Sequence, residues 1–150
     1  MKKKIFASFL AFGFLSFDWK TDINSASEDA RANKKLILLN FSGSDWCIPC
    51  RKLKKELFSD STFLQYAEKC LILVNADFPN KKGLITDEQL AKNEKLAEKY
   101  NPNGDFPLTL IIDSNGNVLK TWKGLIQMPS SEFIQSIDKI YPTAADSTKK

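Results

Sequence analysis

Short apolar runs alternate along this chain with longer stretches in which apolar residues recur every three or four positions. Leu36-Ile-Leu-Leu-Asn-Phe41 and Cys70-Leu-Ile-Leu-Val-Asn75 are nearly unbroken apolar runs. Such runs suit central strands covered on both faces. Pro107 opens a third, Leu108-Thr-Leu-Ile-Ile112, and Asp113-Ser-Asn-Gly-Asn117 reads as a hairpin connection into Val118–Trp122. Phe17 to Ile23 predicts a short first strand anchored by Trp19.

The intervening segments carry helical periodicity. Ser25 or Ser27 is placed to cap a helix running to about Asn33, with Glu28 and Asp29 in its first turn. Leu53 and Leu57 lie four apart in Arg51–Phe58, with Arg51, Lys52, Lys54 and Lys55 on the remaining surface. Ser59 to Thr62 breaks that helix and begins another through Lys69, with Phe63, Tyr66 and Ala67 inward. Thr86 followed by Gln89 resembles a capping box for a half-buried helix ending near Tyr100. A last helix begins near Pro129 and Ser130, carries Phe133, Ile134, Ile137, Ile140 and Tyr141 on one face, and stops at Pro142. The order β-α-β-α-α-β-α-β-β-α predicts an α/β fold of three layers, a central mixed sheet with helices on both faces. We see no internal repeat. One domain spans 17–141, followed by a polar tail, 142–150.

Residues 1–16 are set apart. Lys2, Lys3 and Lys4 precede the uncharged apolar run Ile5–Phe17, which has the length of a signal-peptide core and is short for a membrane span. The cleavage position is not defined by an A-x-A pattern, and an uncleaved segment would tether the chain to a membrane. Export, for instance to a periplasm, is the expectation, with no stable membrane insertion once the segment is removed. The formal charge of +4 owes much to it: without those three lysines, 19 of the 22 basic residues remain against 18 acidic ones. A balance so near neutrality gives no support for nucleic-acid binding.

The chain has three cysteines and no histidine. That removes Ser-His-Asp and Cys-His catalysis and histidine metal sites. Zinc on Cys47 and Cys50 would need two more ligands, and Cys70 is the one remaining thiol, so neither metal nor cofactor is expected. Cys70 itself opens a predicted buried strand and reads as a packed free thiol.

Asp45-Trp46-Cys47-Ile48-Pro49-Cys50-Arg51 sits where a predicted strand ends and a helix begins. Free N–H groups and partial positive charge at a helix start favour a thiolate. The C-x-x-C spacing brings the second sulfur within one turn of the first. A static staple is the other reading, but so short a loop gives little chain-entropy stabilisation. Pro49 falls in the first helical turn, where its missing N–H costs little.

Gly43-Ser-Asp-Trp-Cys-Ile-Pro-Cys50, Phe106-Pro107 and Leu110-Ile-Ile-Asp-Ser-Asn-Gly116, in this order of elements, resemble the thioredoxin superfamily, above all the exported thioredoxin-like proteins of bacterial envelopes. The resemblance covers about Trp19 to Tyr141. It implies a thiol–disulfide oxidoreductase that reduces or isomerises protein disulfides and draws electrons from a membrane or soluble thiol donor. Cys47 would be the nucleophile and the more exposed sulfur, and Cys50 would resolve the mixed disulfide. Trp46, Phe106 and Pro107 would line the substrate site. The residues alone leave Pro107 cis or trans; the resemblance implies cis. A non-catalytic binding module and a redox-sensing domain are the alternatives. One departure stands out. The superfamily often carries a buried Asp on the strand before the cysteines and a partner Lys on the next strand. Here those positions read Leu39-Asn40-Phe41 and Val74-Asn75-Ala76, which leaves water, Asp45 or Glu56 as candidate proton acceptors.

Overall fold

The computed structural model describes residues 18–140; the predicted signal segment, Tyr141, Pro142 and the polar tail lie outside them. The elements run α1 (Ile23–Asn33), β1 (Leu36–Ser42), α2 (Ile48–Leu53) continuing into a π-helical turn (Lys54–Phe58), α3 (Ser61–Cys70), β2 (Leu71–Asp77), α4 (Asp87–Tyr100), β3 (Leu108–Ile112), β4 (Val118–Lys123) and α5 (Ser130–Asp138). The sheet order is β2-β1-β3-β4. β1 runs parallel to β2 and antiparallel to β3, and β3 and β4 form the hairpin. This is the mixed α/β sheet that the periodicity implies.

Strand alternation divides the core in two. Leu36 and Leu38 of β1, Leu71 and Leu73 of β2 and Ile111 of β3 face Leu53, Phe58, Phe63, Phe133 and Ile137 from the helical layer of α2, α3 and α5. Ile37, Leu39, Phe41, Val74, Leu110 and Ile112 face the opposite way, toward Ala26 and Ala30 of α1 and the half-buried Leu96, Ala97 and Tyr100 of α4. Side chains alternate faces along a strand. Asn40, Ser42, Asn75, Asp77 and Thr109 therefore belong to the same face as Leu38, Leu73 and Ile111. They sit where the two parallel strands end, and there the apolar stripe stops.

Several local expectations are corrected. The first strand shrinks to one bridge, Lys20 against Val74, held by the Lys20 amide on the Leu73 carbonyl (2.8 Å) and the Asn75 amide on the Lys20 carbonyl (2.9 Å). Asp22, rather than either serine, caps α1, accepting from the Ser25 amide at 2.8 Å. Cys70 ends α3 instead of opening β2 and is half-buried, and burial pushes its thiol pKa up. The capping box is one-sided. Thr86 accepts from the Gln89 amide, but the Gln89 side chain turns to the Thr21 carbonyl and Asn93.

The π-helical turn has a packing cause. It widens the helix by one residue, so Leu53, Leu57 and Phe58 are all buried where a regular helix would favour one of the last two. Asp60 then caps α3, accepting from the amides of Thr62 and Phe63. The Phe63 amide and the Ser130 hydroxyl hold its carboxyl below the usual carboxylate range. Among the described residues no helix is long and apolar enough to cross a membrane.

Candidate active site

Cys47 and Cys50 are joined as a disulfide with their Cα atoms 5.2 Å apart. β1 delivers the chain to Gly43, and a tight turn follows, closed by the Cys47 amide on the Gly43 carbonyl at 2.8 Å. Cys47 is the N-cap of α2: its backbone is still extended, while its carbonyl accepts the first helical bond, from Arg51. Its sulfur accepts from the Cys50 amide at 3.3 Å, the bond a capping side chain makes. Pro49 occupies the first turn, where no hydrogen-bond donor is needed. The sulfur thus sits among free N–H groups at the positive end of the helix, an arrangement that favours the thiolate over the thiol.

This cap also overturns one expectation. Cys47 is 3% exposed and Cys50 6%, so the leading sulfur is not the more open of the two. Its side chain folds inward over the helix end instead of outward. What stands open are the neighbours, Trp46 at 41% and Ile48 at 71%. An exposed tryptophan and an exposed isoleucine thus flank Cys47 in the chain.

The Phe106–Pro107 peptide bond is cis. Phe41 pairs with Leu108, so this bond lies at the sheet end from which the 43–47 turn departs. Asn101 fixes the approach: its side chain donates to the Asp105 carbonyl and accepts from the Asp105 amide (2.9 and 2.8 Å). The Phe106 ring meets Trp46 edge-on at 5.4 Å and Phe78 at 5.5 Å. The Trp46 indole donates to the Phe78 carbonyl at 2.7 Å. Trp46, Phe106 and Pro107 are therefore gathered at one end of the sheet, with Phe78 as a fourth member that sequence reasoning missed. Phe78 lies in a polar, proline-containing loop, and its one signal was its position directly after a strand.

Gly43 permits this gathering. A β-carbon there would overlap the indole of Trp46. Gly43→Ala is expected to push the ring off the Phe78 carbonyl, at a cost of about 1–3 kcal/mol for overpacking. The check is the Trp46 indole N–H resonance, which should lose its hydrogen-exchange protection.

Behind Cys50 lies a second feature, a cleft of about 530 Å³. Its walls include Cys50, Arg51, Lys54 and Lys55 on the helical side, Trp19 and Phe58 at the apolar end, and Asn40, Ser42, Ser44 and Asn75 on the floor. The floor is a single chain of hydrogen bonds. The Thr109 hydroxyl donates to Asn40 Oδ1 (3.1 Å), Asn40 Nδ2 to Asn75 Oδ1 (2.9 Å), and Asn75 Nδ2 to Ser42 Oγ (3.0 Å). Ser42 Oγ in turn reaches Asp77 Oδ1 at 3.1 Å. The two asparagines stand opposite each other in the β1–β2 register, as do Ser42 and Asp77. A neutral amide pair thus occupies the place where the resemblance implies an acid and a lysine.

Neither outside carboxylate faces this cleft. Asp45 holds the amides of Asn80 and Lys81 at 2.9 and 2.8 Å. The Asn80 bond first, then that to Lys81, keeps its carboxyl below the usual range. Glu56 is exposed and lies 4.0 Å from Lys52. Among the described residues no group of three or more His, Cys, Asp or Glu is placed to hold a metal.

A helix-capping cysteine disulfide, set beside a cis proline at one end of a mixed sheet, defines the thioredoxin class of fold and centre. A family model described as thioredoxin-like matches residues 18–114, and the chain belongs to that family. It is 37% identical over 94 residues to a protein of Chlamydia pneumoniae named disulfide bond reductase DsbH, covering 63% of this chain and 55% of that one. The chain thus spans about half the length of that curated relative. A solved structure named DsbH oxidoreductase superposes with a TM-score of 0.76 at 26% identity, over 94% of this chain and 95% of the other. The reduced C-terminal domain of Neisseria meningitidis DsbD shares the fold, with a TM-score of 0.57 at 17% identity over 77% of this chain and 90% of that one.

Proposed function

We propose that this chain is an exported thiol–disulfide oxidoreductase that reduces or isomerises disulfides in other proteins. The observation that carries the reading is the Cys47–Cys50 disulfide at the N-terminus of α2, with Cys47 sulfur held by the Cys50 amide. In the reduced protein Cys47 thiolate attacks a substrate disulfide, one substrate sulfur leaves as thiolate, and a mixed disulfide forms. Cys50 then attacks Cys47, the second substrate sulfur leaves, and the Cys47–Cys50 bond is remade. A membrane or soluble thiol donor returns the two electrons. The names of the relatives support the reducing direction, and the Lys2–Phe17 signal pattern supports export.

Substrate docks, in this reading, against Trp46, Ile48, Phe106 and Pro107. Trp46 and Ile48 are exposed, Phe106 is half-buried and Pro107 buried, so the two open apolar side chains would meet an extended polypeptide whose backbone would pair with the Phe106 edge. The test is insulin reduction with dithiothreitol as donor. The chain is expected to precipitate insulin B chain well ahead of the donor alone. Binding of unfolded insulin without acceleration would favour the non-catalytic module instead.

A further inference from the structure

Cys50 cannot attack as a thiol. Its proton must leave, and the cleft that Cys50 lines gives it a route, since Cys50 is otherwise buried in the disulfide form. Asn40 and Asn75 on that floor are amides and cannot take it. Ser42 can pass it on, because its hydroxyl lines the cleft and also bonds a carboxylate.

We propose that Asp77, acting through Ser42, is the proton acceptor for Cys50 during resolution of the mixed disulfide. The inference rests on the function proposed above. The hydrogen-bond directions are its first support. Both Asn75 Oδ1 and Asp77 Oδ1 lie 3.1 Å from Ser42 Oγ. Asn75 Oδ1 also accepts from Asn40, Asn75 Nδ2 donates to Ser42, and a carboxylate is a stronger acceptor than an amide oxygen, so the Ser42 proton favours Asp77. Every donor in the chain from Thr109 onward is then aimed at that carboxylate. Asp77 also accepts from the Ser44 amide (2.8 Å) and the Ser44 hydroxyl (2.6 Å), and Ser44 is itself on the cleft wall. A cleft of this size admits water, which closes the gap between Cys50 and the Ser42 oxygen.

The surroundings leave no rival acceptor among the described residues. The charged side chains lining the cleft are Arg51, Lys54 and Lys55, all cations. Asp45 is held by two loop amides. From α4 the neutral Asn93 side chain meets the Asp77 carbonyl, and from the bridge segment Lys20 is paired with Asp29. In the step itself Cys50 gives its proton to the bridging water, that water gives one to the Ser42 oxygen, and the Ser42 proton passes to Asp77. Cys50 sulfur bonds to Cys47 sulfur, the Cys47–substrate bond breaks, and its electron pair leaves on the substrate thiolate. The protonated Asp77 then returns the proton to that thiolate or to solvent.

The experiment follows reduced protein, with Cys70→Ser throughout, against an aromatic disulfide that releases a coloured thiolate. The first colour phase reports Cys47 attack and the second reports Cys50 resolution. Asp77→Asn and Ser42→Ala are expected to leave the first phase unchanged and to slow the second by roughly tenfold or more near neutral pH. Ser42→Thr should restore it. A purely electrostatic role gives the opposite sign: removing a negative charge favours the Cys50 thiolate and speeds the second phase. A second phase as fast as the parent's in both variants, or faster, overturns the inference. A missing first phase in the parent protein would instead strike at the proposed function.

Discussion

Cys50→Ser is expected to leave this protein covalently joined to its substrate, while Cys47→Ser leaves it unable to react at all. The two sulfurs are close in space but differ in surroundings. Cys47 accepts the Cys50 amide at the helix start, so the first attack belongs to it. Cys50, one turn in, has the cleft instead of the helix end. Without Cys50 the mixed disulfide has no intramolecular partner, and release waits on external thiol. Losing a nucleophile fixed 5.2 Å away, Cα to Cα, should slow insulin reduction on the order of 10²-fold or more. Without Cys47 turnover should fall to the rate of dithiothreitol alone. Non-reducing electrophoresis separates the two, since a slower-migrating adduct appears with Cys50→Ser and is absent with Cys47→Ser. Turnover near the parent rate in both variants would remove the dithiol mechanism.

The second large effect is structural. Phe133→Ala is expected to destabilise the domain by about 3–5 kcal/mol, the usual range for emptying a buried aromatic site. Phe133 is fully buried, with ring contacts to Trp122 at 4.9 Å, Phe63 at 5.9 Å and Phe58 at 6.5 Å. It joins three elements at once: β4, α3 and the π-helical turn. Trp19 extends the same cluster through Phe58 at 5.2 Å. Removing the ring therefore leaves a cavity that no single neighbour can fill. Since domains of this size are stable by about 5–15 kcal/mol in total, the loss should be plain in urea denaturation. The midpoint should fall markedly, and a shift no larger than that of an exposed substitution such as Leu119→Ala would contradict this account of the core.

Trp19 and Phe58 also line the cleft behind Cys50, so the aromatic core and the redox centre share a wall. Looser packing at Phe133 would be transmitted there through Phe58. This couples the two predictions physically and makes the resolution rate a sensitive reporter of core packing.

Much of the fold was legible before any coordinates. The two apolar runs became strands, Asp113–Asn117 closed the hairpin, and the C-x-x-C fell at a strand-to-helix junction, because each depends on local spacing and turn chemistry. Cys47 and Cys50 could be paired from sequence for the same reason, since three residues of helix bring them together. The first strand was misread because strand formation requires a partner. Phe17–Ile23 has strand composition, but Asp22 caps α1 and the helix begins at Ile23, so the chain leaves the β2 edge after the Lys20 bridge. Cys70 was assigned to the wrong element because a helix end and a strand start adjoin there, and only the Ala67 carbonyl bonded to the Leu71 amide separates them.

By itself the sequence determined the alternation of apolar faces, the layers that follow from it, and the two sulfurs at a helix start. These are short-range consequences of periodicity 2, periodicity 3.6 and a four-residue motif. The tertiary structure alone decided what surrounds those sulfurs. Phe78 and Phe106 reach Trp46 from positions 32 and 60 residues further along the chain, and Ser42 meets Asp77 across 35. Strand register and crossover connections fix such meetings, and no local pattern encodes them. The turning of Cys47 inward had the same origin, since the backbone amide that its sulfur caps exists as a free donor only once α2 has formed.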